Sequence, residues 1–184
     1  KSAATVADAV TLSSDQTITG IKTFAKDILV NGLTVGKGGG GVSTNTSLGI
    51  SALKSNTTGP NNTSLGSESL FKNTTGYSNT SVGYRSLYSS TKGWRNTALG
   101  DSTLFSNTTG ADNTATGAYA LHLNTSGYWN TANGYQTLVS NTTGIGNTAV
   151  GYKACRSVKT GNYNTAFGYH AGYSNAAGSN NVFI

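Results

Sequence analysis

The sequence predicts an all-β fibre, a homotrimer of 17-residue β-repeats whose coils form either a β-roll or solenoid within each chain or an interwoven β-prism. Three observations carry this expectation. Asn45, Asn62, Asn79, Asn96, Asn113, Asn130, Asn147, Asn164 and Asn181 are each seventeen positions apart with no insertion. Two glycines recur at fixed places in every complete unit, the fifth (Gly49 to Gly168) and the fifteenth (Gly59 to Gly178). A large apolar residue holds the ninth place, as Leu53, Leu70, Leu87, Leu104, Leu121 and Leu138, before Cys155 and Gly172 take it over. A fixed period of this length is the signature of a stacked repeat.

Taken in chain order, residues 1–41 read as an adapter and joint, and 42–184 as an array of eight units plus the start of a ninth. Within the adapter, Asn31-Gly32 stands between Asp27-Ile28-Leu29-Val30 and Leu33-Thr34-Val35 and signals a hairpin. The run Gly38–Gly41 then serves as a flexible or tightly turning joint. Each unit begins with a short strand such as Asn147-Thr148-Ala149-Val150-Gly151-Tyr152, in which Thr and a small third residue suit stacked strands. A second segment surrounds the Leu. A turn such as Asn141-Thr142-Thr143-Gly144 closes the unit, where Asn and Thr bond their own backbone and Gly is expected to supply a positive φ. Seventeen residues are too few for two packed helices, so eight coils at the ~4.8 Å strand spacing would give a rod of roughly 40 Å with Asn and Leu ladders along it.

Burial sets the expected oligomeric state. One Leu and one further apolar residue per unit, such as Leu48, Val82, Leu99, Val150 or Phe167, make a thin core. At ~1.5–3 kcal/mol per buried aliphatic side chain, this hardly offsets ~1–2 kcal/mol of backbone entropy for each ordered residue. A second buried face is needed, and two further copies around an axis supply it most simply.

Composition excludes several function classes. The chain is 35% apolar and 10% charged, below the usual globular apolar share, yet its ten Tyr, five Phe and two Trp are spread evenly and argue against disorder. The net charge of +6 comes from scattered residues such as Lys54, Arg85, Lys92 and Lys153, with no basic run that would bind nucleic acid. Three copies would carry +18 and favour approach to anionic surfaces such as lipopolysaccharide. No stretch is apolar enough to span a membrane. Lacking an initiator Met at Lys1 and ending four residues into a unit at Ile184, the chain reads as a piece of a longer protein.

Chemistry is sparse. Gly36-Lys37-Gly38 is not a phosphate loop, because only three residues separate Gly32 from Gly36 and no Ser or Thr follows Lys37. His122 and His170 hold different places, tenth and seventh, so no repeated acid–base pair arises and no enzyme, cofactor or metal is expected. A metal on a threefold axis through one His is the remote alternative to plain surface histidines. Cys155, in the Leu place, reads as a buried small hydrophobe, and Gly172 one unit later as a narrowing of the core. The Asn-Thr-Thr triplets match glycosylation sequons, but they follow from the turn and are assigned no function. The last two places of the unit are the most variable, and they gather Tyr77, Trp94, Arg95, Tyr128, Trp129 and Tyr163. Stacking would line these residues along one edge, as a strip for sugar rings or apolar parts of a receptor, or as packing against neighbouring chains.

The element Asn-Thr-Ala-x-Gly-Tyr, as in Asn147–Tyr152 and Asn164–Tyr169, resembles the head repeats of trimeric autotransporter adhesins. It is more similar to the related arrays of phage tail fibres, which often precede a C-terminal intramolecular chaperone. The resemblance covers about residues 45–184, and Asp15–Phe24 is similar to a short repeat common in phage tail fibres. The present units are longer than those of the adhesin head, so roll and prism both stay open. The resemblance implies a tail-fibre segment on a virion, partnered by other tail or fibre proteins. A bacterial surface glycan or outer-membrane receptor would be its target. A bacterial cell-surface adhesin and a passive spacer are the alternatives.

Overall fold

A computed structural model describes residues 28–30 and 33–184 of the chain. The Asp15–Phe24 stretch, and Asp27, Asn31 and Gly32 of the expected hairpin, lie outside the described residues. The described chain is a β-solenoid carrying one eleven-stranded sheet whose strands pair in chain order. β1 (Ile28–Val30) and β2 (Leu33–Gly36) pair antiparallel, with Val30 opposite Leu33, as a hairpin there requires. β2 also pairs antiparallel with β3 (Thr46–Ile50). From β3 onward every neighbour is parallel: β4 (Thr63–Leu65), β5 (Thr80–Val82), β6 (Thr97–Leu99), β7 (Thr114–Thr116), β8 (Thr131–Asn133), β9 (Thr148–Val150), β10 (Thr165–Phe167) and β11 (Val182–Phe183).

The register repeats the sequence period, Thr46 facing Thr63 and Thr63 facing Thr80, so that each coil stacks on the next coil of the same chain. Backbone bonds between coils run far beyond the strands. In one coil Thr63 N–H donates to Asn79 C=O at 2.8 Å, Leu70 to Ser86 at 3.0 Å and Thr74 to Thr91 at 3.0 Å. The polar backbone of an irregular coil is thereby satisfied by its copy one unit away.

Period-two alternation in the strand turns the third residue inward and the second and fourth outward. Ser64, Ser81, Ala98 and Ala115 are therefore buried, while Leu65 and Leu99 are exposed. This corrects the expected core: Leu48, Leu99 and Phe167 point to solvent, Val82 and Val150 are half-buried, and the interior apolar residues are the Leu column with small Ala partners. The Leu column is fully buried, and Cys155 continues it. At Gly172 the column stops. Phe183, paired in register beside Ala166, fills the space instead, its ring so close that a Cβ on Gly172 would lie 2.6 Å from it.

Asn fills the rest of the interior. The Nδ2 of Asn96 donates to Asn79 Oδ1 at 3.1 Å and to Gly110 C=O at 2.8 Å, and its backbone N–H donates to the same Oδ1 at 3.0 Å. The pattern recurs in full from Asn79 to Asn164, closing each of these coils on its fifteenth residue. A second amide column runs through the twelfth place: Asn73 Nδ2 donates to Asn56 Oδ1, Asn124 to Asn107 and Asn141 to Asn124, each at 2.8 Å. It breaks where Ser90 and Val158 stand, and the oxygens Asn73 Oδ1 and Asn141 Oδ1 are left buried without partners.

Backbone conformation departs from expectation at the turn. The closing glycines do not carry positive φ. Their role is steric: a Cβ on Gly110 would collide with Asn107 Oδ1 and the carbonyl of Gly127. Positive φ falls on the fifth-place glycines, for example 131° at Gly66, and on non-glycine residues at the seventh, ninth and seventeenth places, such as Glu68, Leu70 and Ser78. Left-handed non-glycine residues cost ~1–2 kcal/mol each, and the ladders on either side of each corner hold them there. Gly39–Gly41 forms a 3-10 turn packed on the first coil, where Gly39 N–H donates to Leu53 C=O at 2.9 Å, so the joint is the tightly turning kind.

Candidate functional site

The seventeenth residue of each coil is held by a backbone stitch. Arg95 N–H donates to Tyr77 C=O at 3.0 Å, Asp112 to Trp94 at 3.1 Å and Trp129 to Ala111 at 3.2 Å. Left-handed φ at Arg95, Asp112 and Trp129, 52°, 54° and 60°, aims the sixteenth and seventeenth side chains outward from a sharp corner.

Four of the six residues singled out by sequence meet there. Trp94, Arg95, Tyr128 and Trp129 line one groove of about 320 Å³ together with Thr109, Ala111, Asp112 and Ser126. Its volume lies at the lower end of the range for small-molecule sites. Tyr77 stands behind it, stacked on Trp94 with ring centres 5.9 Å apart and planes 4° from parallel. Trp94 carries the Arg95 guanidinium 4.2 Å from its ring centre. Arg95 makes a two-point ion pair with Asp112, Nε to Oδ1 at 2.8 Å and Nη2 to Oδ2 at 3.2 Å. Trp129 is 59% exposed and meets Tyr128 edge-on at 4.8 Å. Tyr163 is elsewhere: its ring lies over Gly146, where a Cβ would approach Cδ1 to 2.7 Å.

Sequence reasoning missed Asp112 and Ala111. The signal for Asp112 was its place one unit after Arg95. Ala111 shapes the groove by being small, since an aromatic holds the same place in Tyr77, Trp94 and Tyr128. Two further aromatic columns also went unassigned. Phe71, Tyr88, Phe105 and His122 stack successively at 5.1–5.2 Å, and Tyr135, Tyr152 and Tyr169 at 5.3–5.6 Å. Cations lie over these rings, among them Lys72 and Arg85 on Tyr88 and Lys153 on Tyr152. The Arg85 guanidinium is pushed further up by its hydrogen bond to Glu68, and the Lys153 ammonium is raised by its hydrogen bond to Tyr152. Scattered positive charge thus braces stacked rings.

His122 Nδ1 is 2.9 Å from Ser102 C=O, while His170 packs among Tyr152, Tyr169 and Tyr173. Among the described residues no group of three His, Cys, Asp or Glu is placed to share a metal ion, and no helix is long and apolar enough to cross a membrane. No protein-family model, curated protein or solved structure matches the chain.

Proposed function

We propose that the chain is a non-catalytic fibre segment that assembles as a homotrimer in the tail fibre of a phage or phage-like particle and supports attachment to a host bacterial surface. The observation that carries the reading is the outward column of the sheet. Val35, Leu48, Leu65 and Leu99 are exposed one above another, with half-buried Val82 between them, and after polar Thr116 and Asn133 the column resumes at Val150 and Phe167. An apolar strip this long is unusual on a monomer. Its natural cover is a second and third copy in parallel, because an in-register copy around a threefold axis presents the same strip at the same height. The other side chains support a structural role. The charged pairs Arg85–Glu68 and Arg95–Asp112 each join one coil to the next, and the two histidines lie on separate columns.

Light scattering on residues 1–184 tests the assembly. Three times the chain mass of 18.8 kDa is expected. A Leu65→Asp, Leu99→Asp double variant should fall to the single mass with its β spectrum retained. A single-chain mass for the unaltered protein would overturn the trimer, and failure of a labelled trimer to be retained on any of a panel of bacterial cells would overturn the attachment role.

A further inference from the structure

The groove beside Trp129 combines two chemistries. Its walls are aromatic. Its polar groups are an Arg–Asp pair and two hydroxyls, Thr109 and Ser126. The slot exists because the aromatic column of the sixteenth place skips one coil at Ala111, leaving Trp94 and Tyr128 two coils apart, roughly 9–10 Å at the ordinary strand spacing. The cleft that results opens beside the exposed Trp129.

Charge selects among ring-shaped ligands. Arg95 is the groove's cation, and Asp112 neutralises it through two bonds. An acidic sugar or a phosphate would find no uncompensated positive charge. A guanidinium has five N–H donors, so three remain after Asp112 is served, and the carboxylate retains acceptor capacity. Paired donors and acceptors beside an exposed aromatic face match a neutral pyranose, whose C–H face lies on a ring while adjacent hydroxyls both donate and accept. Trp94, stacked on Tyr77, holds Arg95 from behind as a positioning residue.

We propose that Trp129, Arg95 and Asp112 form a binding site for a neutral pyranose of a surface glycan, with Trp129 as the stacking platform and the ion pair as the hydroxyl reader. This inference rests on the reading of the chain as an attachment segment, and it makes that reading specific to a class of receptor.

Both tryptophans of the chain line the groove, so tryptophan emission, excited beyond the absorption band of the ten tyrosines, reports on this site. The intact protein is titrated with neutral disaccharides built on glucose, galactose or mannose, and with sialyllactose as the acidic probe. At least one neutral sugar is expected to shift the emission saturably, with half-saturation on the order of 1–10 mM. Asp112→Asn and Trp129→Ala should each weaken binding by about tenfold or more. Ala111→Tyr fills the slot with the residue already tolerated at the same place in Tyr77 and Tyr128, and should abolish the shift in a protein that keeps its β spectrum. No saturable response to any neutral probe, a response that survives Ala111→Tyr, or tighter binding of sialyllactose would each overturn the proposal. Light scattering on the same sample reports assembly separately, so a failed site is distinguished from a failed trimer.

Discussion

Replacing Ser90 by Asn tests whether the buried amides act as one continuous ladder. In the present chain Ser90 Oγ and the Asn73 Oδ1 facing it are both buried without a partner, and Asn107 Nδ2 bonds only Gly110. An Asn in this place would donate to Asn73 Oδ1 and to Gly93 C=O, as Asn73 donates to Asn56 at 2.8 Å and to Gly76 at 3.0 Å. It would accept from Asn107 Nδ2 as Asn107 accepts from Asn124 at 2.8 Å. Three bonds at ~0.5–1.5 kcal/mol each, with an orphaned hydroxyl removed and side-chain entropy subtracted, give a gain of about 2–3 kcal/mol. For a chain of this length that is a rise of roughly 4–12 °C in Tm. Urea melts with an unchanged slope check that the gain is in stability rather than in the extent of unfolding. A folded Ser90→Asn protein with equal or lower stability would refute the ladder account, because every neighbour needed for the three bonds is already in place.

The converse substitution, Asn124→Ala, removes the donor to Asn107 Oδ1 and should cost about 2–4 kcal/mol in the same melts. Gly110→Ala drives a methyl into Asn107 Oδ1 and the Gly127 carbonyl, and loss of the β circular-dichroism signal at ambient temperature is expected. Gly172→Leu should destabilise by colliding with Phe183, whereas Gly172→Leu with Phe183→Ala should recover most of the loss, giving a coupling of about 1–3 kcal/mol in a double-mutant cycle. Burial pushes the Cys155 thiol up to about 11 from an ordinary 9. Folding therefore favours the neutral thiol, and its contribution is fully present below pH 9 and lost as the pH rises toward 11, by at most about 2–3 kcal/mol. Comparison with Cys155→Ala across that window isolates the effect, and native Cys155 should resist thiol reagents at neutral pH.

The period made the architecture legible. Identical residues seventeen apart admit in-register stacking, and the Asn and Leu ladders follow from that register alone. What the period cannot express is which way a residue points at an irregular corner. Leu48 and Phe167 read as core because they are apolar, whereas the strand's alternation gives the interior to the third place, where Ser and Ala are small enough to leave room for Leu and Asn. The glycine error has a similar origin. A turn glycine suggests positive φ, but the closing glycines are required by crowding from the next coil, which a single unit does not reveal. The left-handed corners at Glu68, Leu70 and Ser78 carry no compositional mark, since the bonds that hold them come from adjacent coils. Four of the six strip residues met in one groove because adjacent places in adjacent units are neighbours in space. Tyr163 did not, because it stands two units beyond Trp129, and the exchange of Leu for Gly172 and of Ala for Phe183 shows only when the two coils are seen side by side.

The unbroken register also governs how such a molecule can change over generations. Removing residues 96–112 would join Arg95 to Asn113 and leave every column in register, with the rod shorter by one strand spacing of ~4.8 Å. A deletion of sixteen or eighteen residues would instead leave one unit a residue too long or too short, and both amide columns would lose their register at that coil. Length can thus change in whole coils, by duplication or loss of entire units, while the sixteenth and seventeenth places already differ from coil to coil. The length of the solenoid and the side chains displayed at its corners can be altered independently.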